Sequence, residues 1–467
     1  MRNQRCSLTP IVVLVLAVVG PACIDRTVAE VAPSQTVQET VEFPVEMNRN
    51  LDLLFVIDNS RSMEAEQISL ANNFGTMIDV FETIDGGLPN IHVGVISTDM
   101  GSGGYGADIG CASTDDGALQ SAPRIDGCSP PSGAYISNVE GVANYAGTLS
   151  DTFACIARLG RNGCGFEQPL ASLRKALDGS VPQNAGFLRE DALLAIVFIT
   201  DEDDCSVHDP SMFGLPDDPD SELGARSSFR CFEFGVECDN GRDPRSLGPR
   251  EVCGPSSGSP YMTDVNDDIG FIKGLKRSDG QILVAGIVGN PGPITVTTDP
   301  DGLPCLDYSC GTATTCGNAG VDEMAAVPPV RLLAFMNAFP RKSMTTICDE
   351  DLTDALYQIA QAIKTSLDGR CISGNLADID EDSPGIQPNC VASELRYPGS
   401  SDEVEVPLPQ CDNLSDPQSS SNLPCFTMWE DEERCGNTPT QLRVEVFYPL
   451  TETVPFDTLI KAYCEGA

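Results

Sequence analysis

Apolar residues gather in short, nearly unbroken runs separated by longer stretches of helical spacing. Leu51, Leu53, Leu54, Phe55, Val56 and Ile57 make the first run, which stops at Asp58. A strand covered on one face alternates apolar and polar positions, so a continuous run predicts a strand buried on both. Ile91–Thr98, Ala192–Thr200 and Gln281–Val288 read the same way. Between them lie predicted helices at roughly 62–83 (Ile68, Phe74, Ile78, Phe81), 140–159, 169–178 behind Pro169, and 266–277. Leu352–Leu367 is a last amphipathic helix with acid at its start, and 134–139 is a short edge strand. Strands alternating with helices predict an α/β fold, a doubly wound, mostly parallel sheet of Rossmann-like form.

Three stretches interrupt this rhythm: 101–135, 205–265 and 290–328, each rich in Gly, Pro, Asp and Cys and each following a strand. They are predicted as disulfide-rich insertions into one domain spanning 49–370. They emerge where the strands end, the side on which open α/β sheets bind ligands. Beyond, 371–467 shows no long helical pattern. The alternation from Leu442 to Tyr448 predicts a small cystine-rich β module.

The first residues change the picture of compartment. Arg2 and Arg5 precede an apolar stretch from Ile11 to Val19, then Gly20-Pro21-Ala22-Cys23. Residues 1–22 read as a secretory signal, and the apolar stretch is too short to span a bilayer. Small residues before a Cys resemble a bacterial lipoprotein box, which implies lipidation of Cys23, a tether over 23–48 and a membrane contact through the lipid alone. Gly20 stands where such boxes usually carry Leu. Cysteine parity favours the anchor. Of 20 cysteines, Cys6 leaves with the signal and Cys23 is lipidated, so an even set remains to close as disulfides. Within that set Cys155 and Cys164 are expected to pair, and Cys348 to complete the group of Cys305, Cys310 and Cys316. The expected location is the cell envelope or outer membrane, with free secretion as the alternative.

Charge then narrows function. Lys plus Arg number 28 against 69 Asp plus Glu, a formal net charge of −41. That balance excludes a nucleic-acid partner, which needs a basic surface. Only two histidines exist. His92 sits in an apolar run and His208 in an acidic, Pro-rich stretch, so histidine-based catalysis has little room.

The candidate chemistry lies at Asp58-Asn59-Ser60-Arg61-Ser62, between a buried strand and a helix. A second apolar strand ends in Thr200-Asp201. Two neighbouring parallel strands ending in Asp bring two carboxylates to the switch point of the sheet. Two hydroxyls on the same turn add hard neutral oxygens, a set suited to Mg²⁺ or to Mn²⁺ and Ca²⁺. The plain alternative is a helix cap by Ser60 or Ser62, with Asp201–Asp204 a solvated acidic loop.

On these residues the chain resembles the von Willebrand factor type A domain with its metal-ion-dependent adhesion site. The resemblance covers roughly 49–370 without the insertions. It implies that Asp58, Ser60 and Ser62 ligate a divalent ion and that Asp201 follows, partly through water. The family's remaining ligand is a Thr in the loop before the third long helix, and spacing places Glu167 there. Asp58, Glu167 and Asp201 then surround the ion with an extra carboxylate. This strengthens cation binding and weakens the ion's pull on an incoming acid. The implied function is adhesion or protein binding, not catalysis, with an acidic side chain of a protein ligand at the open metal position. The alternative is a structural, disulfide-stapled envelope protein whose metal site is vestigial or purely stabilising. A carboxylate-only hydrolase ranks third. Gly101–Gly106, Gly254–Gly258 and Asp378–Asp382 imitate nucleotide, hydrolase and calcium motifs, but each lacks the flanking elements or spacing those motifs need.

Overall fold

A computed structural model describes residues 38–44, 49–84, 86–105, 111, 114–123, 127–277, 279–311, 316, 325–368, 370–372, 374–380, 385–397, 403–435, 438–449 and 458–466. The predicted signal, Cys6 and Cys23 lie outside the described residues. Among those described, no helix is long and apolar enough to cross a membrane.

The central sheet is built from β2 (Asn50–Ile57), β3 (Asn90–Ser97), β4 (Ile136–Val139), β5 (Val142–Ala143), β6 (Leu193–Ile199), β7 (Ile282–Val288) and β8 (Arg341–Thr346). Its spatial order is β8-β7-β6-β2-β3-β4-β5. The first five of these run parallel, β4 lies antiparallel to β3, and β5 turns back along β4 at one side. This is the doubly wound, mostly parallel α/β architecture expected from the apolar runs. Chain order reverses between β2 and β6, which places a switch point beyond their C-terminal ends.

Alternate residues of β2 explain its unbroken hydrophobicity. Leu51, Leu53, Phe55 and Ile57 enter one core, beside α1 (Glu64–Glu82), α2 (Leu149–Ala157) and α6 (Thr353–Asp368). Leu54 and Val56 enter the other, beside α3 (Pro169–Leu177), α4 (Val265–Lys273) and α5 (Val330–Asn337). Phe74 of α1 stacks on Phe153 of α2 at 3.8 Å between ring centres, over Phe55. Each such buried ring contributes about 1.5–3 kcal/mol.

Several elements differ from the sequence reading. The helix expected over 140–159 begins only at Leu149, capped by Thr148, whose side chain accepts from the Asp151 amide. The residues before it form the β4–β5 hairpin, with Glu140 and Gly141 at positive φ in its turn. Helix α5 and edge strand β8 were not foreseen. Part of the segment read as tether, Gln38–Pro44, is strand β1.

Beyond α6, β9 (Cys390–Arg396), β10 (Val404–Leu408) and β13 (Leu459–Glu465) join β1 in a four-stranded sheet of order β1-β13-β9-β10. A second pair, β11 (Cys425–Glu430) and β12 (Leu442–Phe447), packs with it around Ile372, Phe426, Val444 and Ile460. These are the small antiparallel sheets expected of a cystine-rich tail.

Nine disulfides link Cys111–Cys164, Cys128–Cys155, Cys205–Cys231, Cys238–Cys253, Cys305–Cys316, Cys310–Cys348, Cys371–Cys435, Cys390–Cys464 and Cys411–Cys425. Cys348 does complete the odd group. The expected Cys155–Cys164 pair is wrong. Cys155 lies on the core face of α2 while Cys164 lies in the loop beyond it, so each reaches back to a different part of the first insertion. Bridges in this number place the chain in an oxidising compartment.

The largest insertion orders itself differently from the cores. Arg230, fully buried, donates to the carbonyls of Met212, Gly214, Pro216, Gly224 and Ala225. One guanidinium thereby satisfies a loop whose own backbone offers no regular ladder.

Candidate metal centre

Sheet pairing brings the predicted residues together. The Asp58 amide donates to Ile199 O at 2.9 Å, so the end of β2 stays laced to β6 and faces Thr200 and Asp201. The Asp58 carboxylate is fully buried. Its Oδ1 accepts from the Ser60 amide at 2.7 Å and its Oδ2 from the Thr200 hydroxyl at 2.8 Å. Thr200 was missed by the sequence reading, although a hydroxyl at the end of the partner strand was visible there.

The serines do not cap the helix. Neither the short turn Arg61–Met63 nor α1 receives a side-chain hydrogen bond at its N-cap. Instead the Ser60 and Ser62 hydroxyls meet at 3.3 Å, and Ser62 is near enough to Asp201 to favour its charged form. The Oδ1 atom of Asp201 is buried with no partner.

Glu167 comes from the loop between α2 and α3, which is tied down on several sides. The Gly163 amide donates to Asn59 O at 2.9 Å, so close that a Cβ at Gly163 would sit 2.2 Å from Asn59 Oδ1. Cys164 is bridged to Cys111, the Gln168 amide donates to Thr98 O at 3.0 Å, and the Cys205 amide donates to Glu167 O at 2.8 Å. The side chain is 1 % exposed, and neither carboxylate oxygen has a hydrogen-bond partner. An orphaned carboxylate in the interior costs several kcal/mol unless a cation or proton meets it.

The acidic run after β6 is not a solvated loop. Asp203 accepts from the amides of Arg331 and Leu332, capping α5 from a distance. Asp204 pairs with the fully buried Arg331 at 3.0 Å and accepts from the Leu170 amide at the start of α3. Glu202, missed by the sequence reading, is largely buried beside Glu167, near enough for each charge to act on the other. The run of four acids behind a wholly apolar strand was visible in the sequence, but not which of them lies beside Glu167.

Burial raises the pKa of Asp58 and holds Glu167 and Asp201 well above the carboxylate range, with neighbouring acids pushing the same way on the latter two. Burial also pushes Glu202 up to about 7. Glu66, buried on the first turn of α1 with Oε2 unpartnered, is raised by burial and then by Asp58. None of the leading influences on these five groups is a basic side chain. Among the described residues, no three acidic, histidine or cysteine side chains converge by themselves into a metal cage. The carboxylates stand as mutually repelling neighbours, and any ion must draw also on the serine hydroxyls. Orphaned oxygens on Glu167 and Asp201, with the Ser60 and Ser62 hydroxyls on the neighbouring turn, are hard donors of the kind a divalent cation takes.

Neither a protein-family model nor a curated protein matches the sequence. Solved structures with some overlap include the pilus adhesin SpaC from Lactobacillus rhamnosus GG in its open conformation, at 12 % identity and a TM-score of 0.32 over 91 % of this chain and 40 % of that one. A von Willebrand factor type A protein from Catenulispora acidiphila overlaps at 11 % identity and a TM-score of 0.29, over 93 % and 62 %. The pilus adhesin RrgA from Streptococcus pneumoniae overlaps at 11 % identity and a TM-score of 0.28, over 92 % and 58 %. The chain therefore spans 40 % to 62 % of the length of these proteins.

Proposed function

We propose that this is an exported, non-enzymatic binding protein of von Willebrand factor type A character, which engages a protein partner through a divalent ion at the ends of β2 and β6. The observation that carries the reading is a buried group of carboxylates, Asp58, Glu167 and Asp201, that meets no basic side chain among the described residues. Strand order and the Asp58-x-Ser60-x-Ser62 turn support the family resemblance. Asp58, Ser60, Ser62, Glu167 and Asp201 would hold the ion, which supplies a positive centre for an oxygen ligand. The chain's part is to fix that centre on a rigid sheet edge and to surround it with variable loops that choose the partner. On the family pattern the partner's group is an acidic side chain, and the added carboxylates here weaken that contact relative to ion binding. Lipidation at Cys23 and a place in the cell envelope belong to the same proposal.

A structural reading is favoured by one observation, the disulfides that staple the loops around the site. Ion-dependent melting of the oxidised chain tests the metal, and partner capture tests the function. An ion at about a hundred times its Kd adds roughly 2.7 kcal/mol to the folded state. The expected result is a rise in Tm on adding the ion that is lost in Asp58→Ala. Absence of any such rise would overturn the metal reading, and a rise with no metal-dependent partner would leave the structural one.

A further inference from the structure

We infer that the open edge of β11, in the cystine-rich tail, is a docking site for an extended, basic peptide that pairs with it as an added strand. The inference stands apart from any ion at the ends of β2 and β6.

One edge of β11 is paired with β12. On the other, the Phe426 amide donates to Pro409 O at 2.9 Å, and the Cys411 amide donates to Phe426 O at 2.8 Å. Phe426 therefore turns its main-chain groups away from β12. By the two-residue period of a strand, Met428 and Glu430 turn theirs the same way. The Asp431 amide donates back to Gln441 O on the β12 side, which fixes that alternation. The segment around Gln410 runs parallel to β11 but leaves it after Cys411. Cys411 is bridged to Cys425, and the Asp412 amide turns to Asn422 Oδ1 at 3.3 Å. Past that point the edge is unclaimed. Among the described residues, the amides and carbonyls of Met428 and Glu430 meet no hydrogen-bond partner.

A groove of about 520 Å³, the size of an ordinary ligand site, lies at this stretch. Ile379, Ile386 and Pro388 line it together with Met428, Trp429 and Glu430. Gln410, where the parallel segment departs, lines it as well. Unpaired amides and carbonyls on alternate residues are complementary to another extended backbone, and the apolar lining takes alternate side chains of that strand. Trp429 adds a large amphipathic surface of the kind interfaces favour. Charge then selects the partner. Glu430 is exposed, and no basic side chain lines the groove. Arg443, opposite Trp429 on β12, is held by Asp431 at 3.2 Å. A lysine or arginine on the incoming strand meets that acid.

Trp429 is the chain's single tryptophan, so its fluorescence reports on this groove alone. The test titrates the full, disulfide-bonded chain with an acetylated, amidated hexapeptide of alternating valine and lysine. A valine–glutamate counterpart and a fully N-methylated valine–lysine copy serve as comparisons. The valine–lysine peptide is expected to shift Trp429 emission saturably, the glutamate peptide to bind more weakly and the N-methylated copy not to bind. Glu430→Gln should weaken binding about two- to fivefold through lost charge. Glu430→Pro also removes an amide that the β12 ladder does not use, which an edge strand tolerates. It should cost roughly a further five- to tenfold, with a melt to check folding. The N-methylated copy tests the same pairing on the unaltered chain. No saturable shift, or equal binding of the N-methylated copy, would overturn the added strand. So would a folded Glu430→Pro that binds like Glu430→Gln. Equal binding of the glutamate peptide would overturn the basic partner. Self-association without peptide that Glu430→Pro abolishes would give the edge to a second copy of the chain and overturn the proposal.

Discussion

Two aspartates on the same strand, Asp52 and Asp58, are both fully buried and meet opposite surroundings. Asp52, at the start of β2, accepts from Arg189 Nε at 2.8 Å and from the Arg189 amide at 2.7 Å. Lys276 Nζ lies 3.9 Å away and His92 Nδ1 3.6 Å. Burial still dominates there, raising Asp52 and pulling Lys276 down to about 8, yet the neighbours acting on Asp52 all favour its charge. Asp58, at the other end, is eased only by neutral donors and by Asp201. One fold thus closes an acid inside a set of bases at one pole and, at the other, leaves Asp58, Glu167 and Asp201 with no ion pair among the described residues, while Asp204 beside them keeps Arg331. The first arrangement is what structure alone requires. The second is unfavourable by itself and makes sense as a place kept for a cation from outside.

The comparison breaks most sharply at Asp52. Asp52→Ala strands Lys276 and Arg189 in the interior and should cost about 3–5 kcal/mol of stability, read as a lower urea midpoint with no loss of slope. Asp268 is an intermediate case, with Arg174 Nε at 2.6 Å, Arg331 farther off and the acid Asp204 nearby. Burial raises it from 3.8 to about 6. A raised folded pKa contributes stability that is whole below pH 4 and lost as pH climbs through 6. Wild type should therefore lose roughly 2–3 kcal/mol against Asp268→Asn between pH 4 and pH 7, and parallel pH curves would refute this. The smallest effect has the opposite sign. In chelator, Asp58→Asn relieves like-charge repulsion and should raise stability by roughly 1 kcal/mol or more. A fall comparable to that of Asp52→Ala would erase the distinction between the poles.

The legible parts of the molecule are those whose physics is local. Unbroken apolar runs announced β2, β3, β6 and β7 because both faces of each meet helices. Strand β8, Arg-Lys-Ser-Met-Thr-Thr, is a half-exposed edge and carries no such run. Helix α5 has no capping residue of its own. Its cap is Asp203, contributed from far along the chain, and no local pattern reveals that. The same holds for the site. Asp58, Ser60, Ser62 and Asp201 could be nominated because strand ends and turn spacing are written in sequence. Glu202 could not, because its closeness to Glu167 depends on how two loops fold over the sheet. The nested Cys128–Cys155 and Cys111–Cys164 pairing was hidden for the same reason.

The pairing of β1 with β13 runs from Gln38 opposite Glu465 to Pro44 opposite Leu459. The first described strand is therefore completed by the last. β1 stays an unpaired edge until β13, far along the chain, has been delivered. Closing so long a loop is slow, and a bare edge is exposed to wrong pairing in the meantime. Cys390–Cys464 joins β13 to its other neighbour, β9. That bridge fixes the strand against which β1 must pair. The central sheet, whose strands lie between, is free to fold first and wait.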